Sequence, residues 1–112
     1  MKRIVRWFKN LFLPRRHLRL VFVSEFPEKL KNRKVYIEGD IDLKDFWYAK
    51  LMCPCGCGDS LTLNLIDDVS PCWSIVKKDK SKQFSLHPSI RRRSDCKSHF
   101  WIIDSKIKWC NG

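Results

Sequence analysis

The chain has 112 residues, of which 44% are hydrophobic and 12% aromatic, so it is long enough for one modest core and too apolar for a disordered protein. Its 23 basic residues outnumber its 12 acidic residues and give a formal net charge of +11. No stretch reaches the roughly 18 consecutive apolar residues of a membrane-spanning helix. We therefore expect one folded, basic domain.

The first 24 residues form a basic arm, because they contain seven of the basic residues and none of the acidic ones. Apolar residues from Ile4 to Leu13 alternate with lysine and arginine at helical spacing, which predicts an amphipathic helix that ends near Pro14 and is followed by a first strand. Three roles stay open for the arm: packing on the domain, attachment to an anionic membrane surface, or contact with an acidic protein or nucleic acid.

The arm also bears on the cellular compartment. Its frequent charges exclude the uninterrupted apolar region of a signal peptide, so we expect a cytoplasmic protein. In a reducing cytoplasm, clustered cysteines bind metal more often than they form disulfides.

After Pro14, short strand-like runs recur along the rest of the chain. In the run SLTLNLI, Leu61, Leu63 and Leu65 fall on one side of a strand, and Thr62 and Asn64 fall on the other. This pattern predicts a mainly β fold, a small antiparallel sheet or open barrel, in a single domain over residues 25–112. The other strand-like runs are LRLVFVSEF, KVYIEGD, DFWYAKLM, CWSIVKK, KQFSLHP, HFWII and KIKWC.

Three of the six cysteines fall within the stretch MCPCGCGD, at Cys53, Cys55 and Cys57. Structural zinc takes four thiolate or imidazole ligands, so this C-x-C-x-C stretch needs a fourth ligand from elsewhere. Cys96 is the best candidate, and His99 is the alternative. The thiolates favour Zn²⁺, with an iron site as the other possibility. The sequence therefore predicts a zinc knuckle that stabilises the β-rich domain.

The two remaining cysteines lie outside this proposed metal site. Cys72 and Cys110 lie in strand-like runs, so we expect them to be small buried thiols.

A second cluster of reactive side chains lies in HPSIRRRSDCKSHFWI. If Cys96 is the fourth metal ligand, His99 is available as a general base for a serine nucleophile. Ser89 and Ser98 are the candidate nucleophiles. Ser98 directly precedes His99, and neighbouring side chains of a strand point to opposite faces, so the fold can place Ser89 opposite His99 more easily.

A catalytic histidine also needs a group that orients its ring. Asp40, Asp95 and Glu38 are the candidate carboxylates, and the sequence does not rank them. On spacing alone, a serine and a histidine ten residues apart do not establish catalysis. A non-enzymatic zinc-binding module that contacts protein or nucleic acid is the alternative function, with the Arg91–Arg93 run as part of its contact surface.

Taken together, LMCPCGCGDSLTLNL, HPSI, CKSHFWI and KIKW resemble the BubE-type component of bacterial ubiquitination-like (Bub) operons, over roughly residues 34–110. These operons also encode E1-like, E2-like and ubiquitin-like proteins. The resemblance implies a serine peptidase that trims a ubiquitin-like precursor or removes the ubiquitin-like protein from its conjugates. It thus implies the ubiquitin-like protein as a partner, with the E1-like and E2-like proteins as further candidates.

The resemblance also implies roles for individual residues. It assigns metal binding to Cys53, Cys55, Cys57 and Cys96, and it implies Ser89 and His99 as the catalytic pair, with Ser98 as the rival nucleophile. Asp40, one of the carboxylates named above, is included in the candidate catalytic set as the orienting acid. Four thiolates leave no open coordination position for water, so the zinc would be structural.

Overall fold

The computed structural model of the chain describes residues 17–78, 82–92 and 96–110, so the predicted N-terminal helix lies outside the described residues. The described part of the chain has no helix able to cross a membrane. It contains eight strands, one in each run that the sequence predicted, which confirms the mainly β fold. The strands are β1 (Arg19–Val23), β2 (Lys34–Asp40), β3 (Asp45–Met52), β4 (Ser60–Asn64), β5 (Ser74–Lys77), β6 (Phe84–Arg91), β7 (His99–Ile103) and β8 (Lys106–Trp109).

The strands form two sheets rather than the single sheet or barrel that the sequence predicted. The first sheet has the order β1-β2-β3-β4 and the second has the order β5-β6-β7-β8. All neighbouring strands are antiparallel except β1 and β2, which are parallel. A parallel pair needs a long connection to return the chain to the same end of the sheet, and residues 24–33 supply it.

One apolar core joins the two sheets, because the buried side chains of both belong to a single cluster. The alternation in SLTLNLI has the predicted consequence, since Leu63 and Leu65 are buried in that cluster and Leu61 packs against it. Apolar burial of this kind is the main stabilising term of the fold. The buried members from the strands are Val35, Ile37, Ala49, Leu51 and Leu63 in the first sheet and Phe84, Leu86, Ile90, Phe100 and Ile102 in the second.

Candidate functional site

Four cysteine sulfurs converge where the β3–β4 connection meets the β6–β7 connection. Cys53, Cys55 and Cys57 lie on the first connection and Cys96 lies on the second, and the four Sγ atoms are all within 4.8 Å of one another. The Sγ atom of Cys53 is 3.4 Å from that of Cys55 and 3.5 Å from that of Cys96. The structure thus brings together the four ligands that the sequence predicted.

Local backbone geometry shapes the β3–β4 connection. Cys53 N donates a hydrogen bond to Asp59 O at 2.8 Å, which closes the connection at its base, and Gly56 N donates to Cys53 O at 3.2 Å within it. Gly56 and Gly58 have φ angles of 88° and 90°, in the left-handed region that favours glycine. The glycines between and after the cysteines therefore let the chain turn back so that three sulfurs point to one place.

Arg92 contacts the cysteine cluster, and the sequence pattern did not predict this contact. Its Nη1 atom donates to Cys96 Sγ at 3.2 Å and to Cys57 Sγ at 3.4 Å. Its Nη2 atom donates to Asp59 Oδ2 at 3.2 Å. An arginine beside thiolates offsets part of their negative charge. The sequence signal is the position of Arg92 four residues before Cys96, which places a cation close to a candidate ligand.

Hydrogen bonds change the acidity of the sulfurs. The bond from Ser98, at an Oγ–Sγ distance of 3.0 Å, is the largest cause that lowers the pKa of Cys96 to about 6. The neighbouring Cys53 sulfur raises the pKa of Cys55 to about 11. Hydrogen bonds to the thiolates raise the pKa of the Arg92 guanidinium, and the bond to Cys53 has the largest effect. Four converging sulfurs with these donors around them fit a metal ion that prefers thiolate ligands.

The predicted nucleophile and base meet on the second sheet. Ser89 Oγ lies 3.0 Å from His99 Nε2, which is hydrogen-bond distance. Leu86 pairs with Ile102 and Ile90 pairs with Phe100, so three residues of β6 oppose a single residue of β7. Ser89 belongs to this bulge, and a bulge re-aims the side chains that it carries. The irregular strand therefore accounts for the contact.

The backbone of Ser89 has a second contact. Its carbonyl oxygen accepts a hydrogen bond from the indole Nε1 of Trp73 at 3.3 Å. Trp73 in turn packs against the core, so the bulge is supported from the side of β5.

The second ring nitrogen of His99 lies in a different environment. His99 Nδ1 is buried and has no hydrogen-bond partner within the described ranges. Asp40 is not brought to it, since Asp40 Oδ1 instead accepts a hydrogen bond from Leu43 N at 3.2 Å in the β2–β3 turn. Glu38 lies on β2 of the other sheet, and Asp95 lies outside the described residues. The described residues thus provide a serine–histidine pair without an orienting carboxylate.

Ser98, the rival nucleophile, belongs to the cysteine cluster. Its side chain is buried, and its Oγ atom lies 3.0 Å from Cys96 Sγ and 3.8 Å from Cys53 Sγ. His99, the next residue, points to Ser89 instead. Consecutive residues of an extended segment point to opposite sides, so the two side chains serve different centres.

The cysteine cluster and the serine–histidine pair share a backbone frame. Arg92 N donates to Ser98 O at 2.7 Å, immediately beyond the Arg91–His99 pair of the β6–β7 ladder. The residues that contact the sulfurs therefore continue directly into the two strands that hold Ser89 and His99. The cysteine cluster closes the end of this strand pair.

Comparison with known proteins places the chain in a family. The model of a family described as bacterial ubiquitination-like system serine protease (BubE) matches residues 22–110. No curated protein and no solved structure gives a significant match. The matched region includes β2 to β8, the four clustered cysteines and the serine–histidine pair, and it leaves most of the basic arm outside. The resemblance noted from the sequence is thereby confirmed: the chain belongs to the BubE family of serine proteases of bacterial ubiquitination-like systems.

Proposed function

We propose that this chain is a peptidase that cleaves at the C-terminus of a ubiquitin-like protein, with Ser89 as the nucleophile and His99 as the general base. The observation that carries the proposal is the 3.0 Å contact between Ser89 Oγ and His99 Nε2. The contact occurs in a chain whose family is described as serine proteases, and a histidine at hydrogen-bond distance can activate a serine as a nucleophile.

The steps follow from the positions of these two side chains. His99 Nε2 accepts the Ser89 proton as Oγ attacks the carbonyl carbon of the last residue of the ubiquitin-like protein. The imidazolium then donates that proton to the leaving amine, the C–N bond breaks, and an ester on Ser89 remains. Water, deprotonated by the neutral His99, hydrolyses the ester and regenerates the serine.

The buried Nδ1 atom of His99 bears on this mechanism. When Nε2 accepts the serine proton, Nδ1 carries the ring hydrogen, and a buried N–H group without an acceptor costs about 1–3 kcal/mol. No carboxylate among the described residues accepts a hydrogen bond from Nδ1. The packing of β6 and β7 therefore keeps the imidazole oriented.

We assign Zn²⁺ to the four cysteines because thiolate ligands in this number favour zinc. Bound there, the ion would crosslink the β3–β4 connection to the β6–β7 connection, and four thiolates leave no position for a catalytic water. Its role is to stabilise the end of the strand pair that carries Ser89 and His99.

The test compares serine variants of the full chain on the ubiquitin-like precursor of the same pathway. Ser89→Ala should abolish cleavage while the metal content and the circular dichroism spectrum stay unchanged. The matched control is Ser74→Ala, which alters an exposed serine on β5 and should cleave normally. A fluorophosphonate probe should label the unaltered chain at Ser89, and undiminished cleavage by Ser89→Ala would refute the assignment.

A further inference from the structure

A group of exposed apolar side chains lies at the end of the first sheet that is remote from the cysteine cluster. β3 runs from this end to Met52, directly before Cys53. Leu43 is 75% exposed, the highest value among the exposed large apolar residues of the described chain. We name the group the hairpin patch, and its members are Ile41, Leu43, Trp47, Tyr48 and Val69.

Hydrogen bonds join the parts of the hairpin patch into one surface. Leu65 N donates to Trp47 O at 2.9 Å, which fixes the start of the β4–β5 connection against β3. Asn64, the register partner of Tyr48, donates from Nδ2 to Val69 O at 3.0 Å. The β4–β5 connection is therefore held against β3 near Trp47 and Tyr48, and the β2–β3 turn leads directly into the same end of β3.

A bulge in β3 gives the hairpin patch two adjacent aromatic residues. Glu38 pairs with Tyr48 and Gly39 pairs with Phe46, which leaves Trp47 without a partner in β2. Phe46 packs against the core, whereas Trp47 and Tyr48 are each 38% exposed. A regular strand would direct one of two consecutive side chains inward. The bulge lets both remain at the surface.

Five carboxylates lie beside the patch residues in the sequence, with one lysine, Lys44, among them, although the chain as a whole is strongly basic. Asp45 Oδ2 accepts a hydrogen bond from Trp47 Nε1 at 3.2 Å, so this acidic group lies directly beside an aromatic member. An apolar centre with an acidic rim is complementary to an apolar surface with a rim of lysine and arginine. The carboxylates are those of Asp40, Asp42, Asp45, Asp67 and Asp68.

Trp73 connects the hairpin patch with the proposed nucleophile. Its backbone N donates to Asn64 O at 2.8 Å, and its indole Nε1 donates to Ser89 O at 3.3 Å. Asn64 is the register partner of Tyr48, so a single tryptophan lies between the edge of the patch and the bulge that carries Ser89. The backbone and the indole of Trp73 thus link the edge of the patch to the bulge that carries Ser89.

We propose that the hairpin patch is the docking site for the folded body of the ubiquitin-like substrate, whose contact surface is aliphatic and rimmed by lysine and arginine. This inference rests on the proposed peptidase function. The scissile tail must be extended to reach Ser89, and it advances about 3.3 Å per residue, so a tail of several residues separates the folded body of the substrate from the serine. The apolar anchors of the patch supply the remaining affinity, and its carboxylates orient the substrate.

The test measures binding of the pathway's ubiquitin-like precursor by calorimetry, in full chains that carry Ser89→Ala to prevent turnover. Ile41→Ser with Leu43→Ser should raise the Kd at least about tenfold, because anchor residues dominate an interface. Both side chains are more than half exposed, so the change leaves the core intact. The matched control is Val76→Ser, at an apolar position of β5 that is 50% exposed and outside the patch, and its Kd should be unchanged.

Charge reversal provides a second arm of the same experiment. Asp42→Lys with Asp68→Lys should raise the Kd at low salt and reduce the dependence of the Kd on salt, since attraction between opposite charges is screened by ions. A Kd that none of the patch variants changes would overturn the docking site. Loss of self-association in the patch variants, with an unchanged Kd, would assign the surface to a second copy of the chain and overturn it equally.

A tail peptide separates failure of the docking site from failure of the peptidase function. In chains that retain Ser89, the patch variants should cleave a fluorogenic peptide of the substrate's last residues at the normal rate, while the KM for the folded precursor rises and kcat stays constant. Normal peptide cleavage with an unchanged precursor KM would overturn docking alone. Peptide cleavage that Ser89→Ala does not reduce would overturn the peptidase assignment, and the precursor Kd would still decide the docking site.

Discussion

Ser98 and His99 are consecutive in the chain, yet the Ser98 hydroxyl lies 3.0 Å from Cys96 Sγ whereas the His99 imidazole lies 3.0 Å from Ser89 Oγ. One peptide unit therefore joins the cysteine cluster to the proposed catalytic pair. The contribution of each side chain to its own centre can be examined by changing each one separately.

Replacement of His99 should remove catalysis and leave the metal site intact. We expect His99→Gln to lower kcat/KM for the precursor by about a thousandfold or more, because the serine then lacks a base. His87→Gln is the matched control, since His87 is exposed on β6 and its ring instead contacts Trp101. Equal losses in the two variants would contradict a specific role for His99.

Metal analysis of two variants should identify the fourth ligand. Cys96→Ser should lower the metal content, measured by inductively coupled plasma mass spectrometry, because it removes one of four converging sulfurs. His99→Ala should keep one metal ion per chain. The reverse result, a full metal content in Cys96→Ser and a loss in His99→Ala, would make the histidine the ligand and leave Cys96 a free thiol.

Arg92 should strengthen metal binding without being a ligand. Arg92→Met removes the guanidinium bonds to Cys57 and Cys96, and we expect metal affinity in a chelator competition to fall about 10- to 100-fold, the usual range for groups that support metal ligands. Arg92→Lys should restore part of the affinity, since it keeps the charge but not the planar fork. Lys97→Met alters an exposed basic residue next to Cys96, and its affinity should match that of the unaltered chain.

Acid should release the metal at a higher pH when Ser98 is replaced. The Cys96 thiol has an ordinary pKa of 9.0, which the folded chain lowers to about 6. Between these pH values the folded state binds fewer protons than the unfolded state, so ionisation of Cys96 stabilises the fold. This contribution to the free energy of unfolding is complete above pH 9 and is lost as the pH falls through about 6.

Ser98→Ala removes the main cause of the lowered Cys96 pKa, so protons should compete with the metal at higher pH. A zinc-sensitive dye can follow the release during an acid titration. We expect the midpoint to move upward in Ser98→Ala and to stay in place in Ser74→Ala. An unchanged midpoint in Ser98→Ala would mean that the hydroxyl does not control the acidity of the sulfur.

The strands were predictable from the sequence because each carries its own signal. Alternating leucines in SLTLNLI marked the buried side of β4, and β-branched and aromatic residues marked the other strands. The pairing was not predictable in the same way. That β1 lies parallel to β2 depends on the path of residues 24–33, whose polar composition is compatible with either direction.

The convergence of the four cysteines was predictable for a related reason, since three of them are close in sequence and few distant partners were available. Arg92 was missed because its contact with Asp59 joins two loops that are remote in the chain, and no local pattern encodes it. The Ser89–His99 contact depends on a bulge in β6, which residue spacing alone does not disclose. The orienting acid could not be chosen because several carboxylates fitted the sequence equally.

The position of Cys96 also has a consequence for the newly made chain. Synthesis proceeds from the N-terminus, so Cys53, Cys55 and Cys57 leave the ribosome well before Cys96, and Ser89 leaves before His99. A nascent chain can thus hold a metal ion only incompletely, and has no base for its serine, until β7 has emerged. Because Cys96 and His99 are only three residues apart, the last sulfur and the imidazole become available almost together. The four sulfurs and the serine–histidine pair are therefore all present only after β7 has been synthesised.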